Sequence, residues 1–129
     1  MAMKVADWMT TKVETIQPKD TLEEAEAKMQ RGGFRCLPIV EDGGALVGIL
    51  THRDLGQHRP HLASTRVTAA MVENPVIIGP DDSIERAAEI ILTRKIGGLP
   101  VISEGTLVGI ITETDLLAGL LRLVQARVG

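Results

Sequence analysis

Tyrosine is absent, and Trp8 and Phe34 are the only aromatic residues. That disfavours stacking platforms for single-stranded nucleic acid and aromatic cages for quaternary ammonium groups. The core must therefore be built from Val, Ile, Leu, Met and Ala. A single cysteine, Cys36, excludes an internal disulfide framework and a zinc cluster of several cysteines, and makes the reducing cytoplasm the expected compartment. Basic residues are not in excess: 14 Lys and Arg face 17 Asp and Glu, for a net charge of −3. The electrostatic footprint of a nucleic-acid binder is thus missing. No apolar run approaches the ~20 residues of a membrane span; the most apolar stretch, Leu116 to Val124, is interrupted by Arg122. The first twelve residues carry Lys4, Asp7 and Lys12 and read as no secretory signal.

What is present is a repeat. The chain has 129 residues, one domain's worth or two half-size units. Val5-Ala-Asp-Trp-Met9 returns as Val67-Thr-Ala-Ala-Met71, 62 residues later. The displacement holds through Ile16/Ile78, Pro18/Pro80, Asp20/Asp82, Ala25/Ala87 and Leu37-Pro38/Leu99-Pro100. One residue is lost where Asp42-Gly43-Gly44 faces Glu104-Gly105, and Leu46-Val47-Gly48-Ile49 then matches Leu107-Val108-Gly109-Ile110. The match closes with Thr51/Thr112, Asp54/Asp115 and Leu55/Leu116. Two units this small are expected to pack on each other. The boundaries read as unit one at 1–59, a linker at 60–66 and unit two at 67–129.

Each unit has the same grammar. A lead-in ends at Pro18 or Pro80, and Asp20-Thr21 with Glu23-Glu24, or Asp82-Ser83 with Glu85, signals a capped helix start. Leu22, Ala25 and Met29 form one helical stripe; Ile84, Ala87, Ala88, Ile91 and Leu92 form the other. Gly32-Gly33 and Gly97-Gly98 suit the turns out of these helices. Strands follow at Leu37–Glu41 and Leu46–Leu50, then at Leu99–Ile102 and Leu107–Ile111. Thr51 and Thr112 open second helices. The first is expected to end before Pro60, with Gly56 to Arg66 as linker. The other is expected from about Glu113 to Arg127, with Leu116, Leu117, Leu120, Leu121, Val124 and Val128 on a broad apolar face.

These motifs resemble the cystathionine β-synthase (CBS) domain: the Val-x-x-x-Met lead-in, the Leu-Pro strand, and Leu-Val-Gly-Ile-(Leu/Ile)-Thr-x-x-Asp-Leu. The tandem is similar to a CBS pair, or Bateman module, over residues 5 to about 120. No one motif is specific, but the ordered set repeated at one spacing is. The resemblance implies an α/β (α+β) fold of two β-α-β-β-α units packed sheet to sheet with pseudo-two-fold symmetry. It also implies clefts between the units that hold adenosine derivatives, and frequent dimers.

Thr51-x-x-Asp54 and Thr112-x-x-Asp115 are the sharpest candidates. The plainer reading is a capping box before an apolar run. A helix N-terminus with a free hydroxyl is also an anion site, and a carboxylate three residues on can accept both ribose hydroxyls. By resemblance the Asp residues hold ribose and the Thr residues lie near phosphate. The pre-proline residues, Arg35-Cys36 and Gly97-Gly98, are the next candidates. Related modules set the pre-proline stretch of one unit against the Thr-x-x-Asp of the other, so Arg35 would serve Thr112 and Asp115. The pocket of Gly97, Gly98, Thr51 and Asp54 would rely on His52, Arg53 or backbone for phosphate. Thr10, Val13, Ile16, Val76 and Ile78 are candidates to line adenine, or are plain core. Cys36 reads as a small core residue rather than a nucleophile. His52, His58 and His61 do not have a metal-ligand spacing. The Val-Gly-Ile glycines lack a phosphate-loop context and read as close packing between strand and helix.

The expected function is a non-catalytic, cytoplasmic regulatory module sensing AMP, ADP, ATP or S-adenosylmethionine. It acts through an unknown effector protein, as a homodimer, with no nucleic acid or membrane partner. The competing reading is a ligand-free dimerisation or protein-interaction module; a hydrolase or redox enzyme using Cys36 and a histidine is the remote third.

Overall fold

The longer helices of this chain start at hydroxyl caps. In the computed structural model, which describes residues 3–128, Thr21 accepts a hydrogen bond from the Glu24 amide at 3.2 Å, while Glu24 reaches back to the Thr21 amide at 3.3 Å. This opens α2 (Leu22–Gly32), which follows a single turn α1 (Val5–Trp8). Ser83 does the same for α3 (Ile84–Arg94), accepting from the Arg86 amide at 3.0 Å. α2 ends at Gly33, in the left-handed region at φ 71. α3 ends at Lys95 with φ 55, so the turn expected at Gly97-Gly98 comes two residues earlier and Gly98 opens a strand. The stripe of α2 is buried as Leu22, Ala25 and Met29. That of α3 is Ile84, Ala87 and Ile91; Leu92, expected on it, is exposed.

Strands β1 (Cys36–Val40) and β2 (Leu46–Thr51) pair antiparallel, Cys36 opposite Thr51 and Pro38 opposite Ile49, with an irregularity between Ile39 and Val40. A short β3 (Val72–Glu73), which the sequence reading does not contain, adds to β2. β4 (Gly98–Ser103) and β5 (Thr106–Thr112) form the second hairpin, turned by Glu104 and Gly105 at φ 51 and 79. Two positive φ values in succession match the twist of a tight hairpin. A parallel bridge joins Ile16 to Ile39 and another joins Ile78 to Val101, completing the β-α-β-β-α order.

The chain divides into two compact bodies. One comprises Val13–Pro75 with Gly105–Leu107; the other comprises residues up to Lys12, Val76–Glu104 and the chain from Val108. These cuts differ from the repeat boundaries because each lead-in leaves its own repeat. Residues 3–12 dock on the second repeat: the Val5 amide donates to the Asp82 carbonyl at 2.8 Å, and Thr10 and Ile110 exchange bonds at 2.8 and 2.9 Å. Residues 66–73 dock on the first repeat, with the Val67 amide donating to the Asp20 carbonyl at 2.9 Å. The strand glycines are explained by these segments rather than by a helix. A Cβ on Gly48 would lie 2.6 Å from Met71 Sδ and 2.9 Å from the Val72 carbonyl. On Gly109 it would lie 2.7 Å from Met9 Sδ and 2.8 Å from the Thr10 carbonyl.

Each body has an aliphatic core. The 13–75 body buries Ile16, Leu37, Ile39, Leu50, Leu55 and Val67 with the α2 stripe. The 76–128 body buries Val5, Ile78, Leu99, Val101 and Ile111 with the α3 stripe, and Trp8 packs at its edge. Gly119, inside α4 (Glu113–Val128), makes room for the Trp8 ring. The helical turns after Thr51 do not stop at Pro60. A 3-10 helix runs His52–Ser64 with a kink at His61, so most of the expected linker is ordered helix. No helix among the described residues is long and apolar enough to cross a membrane.

Candidate functional site

The two Thr-x-x-Asp sequences are capping boxes in both bodies, yet the two carboxylates are not held alike. The Thr51 amide donates to Asp54 Oδ2 at 2.8 Å and the Asp54 amide donates to Thr51 Oγ1 at 3.3 Å. Asp54 Oδ1 accepts from no protein donor among the described residues. The Thr112 amide donates to Asp115 Oδ2 at 2.9 Å, and the Thr112 hydroxyl adds a second bond to it at 3.1 Å. The other oxygen, Asp115 Oδ1, takes the Thr10 hydroxyl at 2.9 Å. Thr10 faces Ile110; in the other body the residue facing Ile49 is Val72, which has no hydroxyl to give.

Asp54 opens onto a cleft of about 280 Å³ lined by Arg53, Asp54, Gln57, His58, Ala69 and Ala70. That lies just under the ~300 Å³ at which small-molecule pockets begin. Asp54 and Gln57 stand three residues apart, one above the other on a 3-10 helix. Cys36 lies opposite Thr51 in the β1–β2 ladder. Burial pushes its thiol up from 9.0 to about 12, and the Asp54 carboxylate adds to the shift. The thiol stays protonated at neutral pH and is no nucleophile.

The remaining sequence candidates fall as follows. Arg53 joins the Asp54 cleft, while His52 does not; its amide instead donates to the Arg35 carbonyl at 2.8 Å. Arg35 has an exposed side chain. In the same way the Glu113 amide donates to the Gly97 carbonyl at 3.1 Å; Gly97 is exposed and Gly98 buried. Ile16 and Ile78 are core residues, 1% and 3% exposed. Val13 is half-buried, and Val76 packs against the core of the 76–128 body. Gln57 is not among the sequence candidates and His58 enters only as a histidine without metal-ligand spacing, because Gly56 and Pro60 mark the segment as linker. The i, i+3 and i, i+4 spacing from Asp54 was the signal available. On α4, Leu116 packs on the core, whereas Leu117, Leu120, Leu121, Leu123 and Val124 are exposed. The side chain of Val128, expected on the same face, lies outside the described residues.

The comparisons agree on one family. The CBS domain model matches the chain twice, over residues 5–57 and 67–122. CBS domain-containing protein YhcV of Bacillus subtilis is 34% identical over 115 residues, covering 87% of this chain and 81% of YhcV. An inosine-5'-monophosphate dehydrogenase of Korarchaeum cryptofilum is 37% identical over 102 residues, 78% of this chain, but the match spans only 21% of that enzyme. Among solved structures, the CBS domain pair of protein MJ0100, in complex with methylthioadenosine and S-adenosyl-L-methionine, aligns with a TM-score of 0.85 at 24% identity. That alignment covers 98% of this chain and 99% of that one. CBSX2 of Arabidopsis thaliana in complex with AMP aligns with a TM-score of 0.81 at 24% identity, over 94% and 98% of the two chains. Two family matches in tandem, each ending in its own Thr-x-x-Asp box, place this chain in the CBS-domain family.

Proposed function

We propose that the chain is a non-catalytic, cytoplasmic regulatory module that binds an adenosine-containing ligand and passes its occupancy to an effector protein. The observation that carries this reading is the Asp54 carboxylate. It is held by its cap at the start of a helix, with one oxygen that no donor among the described residues reaches and Arg53 and His58 beside it in an open cleft. A ribose diol donates two hydrogen bonds to such a group, and charge-assisted bonds of this kind are strong. Thr51 and the helix N-terminus offer phosphate its donors. The AMP carried by CBSX2 and the methylthioadenosine and S-adenosyl-L-methionine carried by MJ0100 support this ligand class. With one arginine at the cleft and a negative net charge, a triphosphate gains little over a monophosphate.

A thermal-shift screen of AMP, ADP, ATP and S-adenosylmethionine tests the reading. A ligand at ~100 times its Kd should raise the melting temperature by roughly 8–13 °C for a chain of this size. No shift with any of the four at millimolar concentration contradicts it. By calorimetry without Mg²⁺, AMP or ADP should bind at least as tightly as ATP; a tenfold preference for ATP, about 1.4 kcal/mol, is the contrary result.

The same module works as a homodimer in this reading. Leu117 and Leu121 on α4 are 65% and 57% exposed, and the neighbouring Leu120, Leu123 and Val124 extend the patch. A contiguous apolar surface of this kind is unusual on a soluble monomer. Light scattering at tens of micromolar should give twice the chain mass; the monomer mass contradicts the dimer.

A further inference from the structure

Thr10 and Val72 occupy equivalent places and have opposite consequences. Each faces the strand isoleucine that follows a Val-Gly pair, Ile110 for Thr10 and Ile49 for Val72. Thr10 donates its hydroxyl to Asp115 Oδ1 at 2.9 Å, and with the two bonds from Thr112 both oxygens of that carboxylate are engaged. Val72 is half exposed and has no hydroxyl to give, so no donor among the described residues reaches Asp54 Oδ1 beside the Arg53, Gln57 and His58 cleft. The geometry points to a chain that takes one adenosine ligand rather than two. The ribose goes to Asp54, and Thr10 acts as an internal latch that holds Asp115 out of use. This inference rests on the proposed function, and it assigns the ribose away from the carboxylate that Arg35 is expected to serve.

The energetics favour the same ordering. A diol approaching Asp115 meets an Oδ1 that already carries the Thr10 hydroxyl, so it must displace that bond or share the oxygen with it. A diol approaching Asp54 displaces water. One hydrogen bond's worth of competition weakens binding roughly five-fold. Thr10 is therefore a specificity-determining residue that touches the carboxylate rather than the ligand.

Calorimetric titration with AMP reads this directly through stoichiometry, on variants first shown to be folded by circular dichroism and melting temperature. Wild type should bind one AMP per chain. Asp54→Ala should raise that Kd at least tenfold. Thr10→Val is nearly isosteric and removes only the hydroxyl. It should add a second binding event, and that event should survive in the Thr10→Val/Asp54→Ala double variant. Val72→Thr, which brings the latch to the other body, should weaken wild-type binding roughly five-fold. Two AMP per wild-type chain, or one AMP per Thr10→Val chain together with undiminished affinity in Val72→Thr, overturns the latch while leaving the ligand class standing. Absence of binding of AMP, ADP, ATP and S-adenosylmethionine alike, in wild type and in Thr10→Val, overturns both.

Discussion

The two bodies agree where packing decides and differ where chemistry does. At Gly48 and Gly109 the geometry is nearly duplicated: a methionine sulfur and a backbone carbonyl crowd the place a Cβ would take, at distances that agree to about a tenth of an ångström. At the Thr-x-x-Asp boxes the backbone is again duplicated, since both Thr amides donate to the following Asp at 2.8 and 2.9 Å. What differs is the residue brought up from the lead-in, Thr10 in one body and Val72 in the other, and the pre-proline residue, Cys36 against Gly98. Duplication thus carries a scaffold through both copies, while side chains around the boxes differ, with Arg53, Gln57 and His58 of one copy answered by Thr114, Ala118 and Gly119 in the other.

The largest expected effects should be the same in both bodies. Leu50→Ala and Ile111→Ala each truncate a fully buried strand residue and should each cost about 2–5 kcal/mol in urea denaturation. A cost confined to one of the pair would break the equivalence of the cores. Gly48→Ala and Gly109→Ala come next. Neither glycine needs positive φ, so the cost is steric, about 1–3 kcal/mol each. Trimming the opposing sulfur, Met71→Ala or Met9→Ala, should recover only part of it, because the carbonyls of Val72 and Thr10 remain in place.

The next two effects should differ between the bodies. Cys36 has no counterpart at Gly98, and its thiol is raised from 9.0 to about 12. The unfolded chain ionises this group first, so its contribution to stability is complete below pH 9 and declines as pH rises from 9 toward 12. The decline is at most about 1.4 kcal/mol per pH unit. Wild type should lose stability more steeply than Cys36→Ala over that range, and parallel curves would count against a thiol held neutral beside Asp54. The smallest effect separates the two carboxylates. Both substitutions to Ala lose a cap, but Asp115→Ala also loses the Thr10 bond. It should therefore be the more destabilising by about 1 kcal/mol; equal costs would show that the Thr10 bond contributes nothing.

Much of this was legible in the sequence, for identifiable reasons. Hydroxyl caps, aliphatic stripes and the hairpin turns are local signals, and α2, α3, the four long strands and α4 follow from them. The exit of α3 misled because Gly97-Gly98 reads as a turn, whereas Lys95 takes the left-handed conformation itself. The segment after Thr51 misled because Gly56 and Pro60 suit a linker, yet Arg59 pairs with Glu26 of α2 and helps to hold the 3-10 turns on the body. That error hid Gln57 and the cleft position of His58. The lead-in exchange was not legible at all. Which repeat a strand joins is a long-range choice, and nothing local in Val5–Met9 says that its partners are Pro80 and Asp82, more than seventy residues away. The Thr10–Asp115 bond depends on that exchange, so a reading along the chain could align Thr10 with Val72 but could not see what the difference would do.

The most direct measurement is a crystal structure of the protein grown with AMP. The account predicts ribose hydroxyls on the Asp54 carboxylate, with the Thr10 hydroxyl still bonded to Asp115. Ribose on Asp115 with Thr10 displaced, and Asp54 bare, would contradict it.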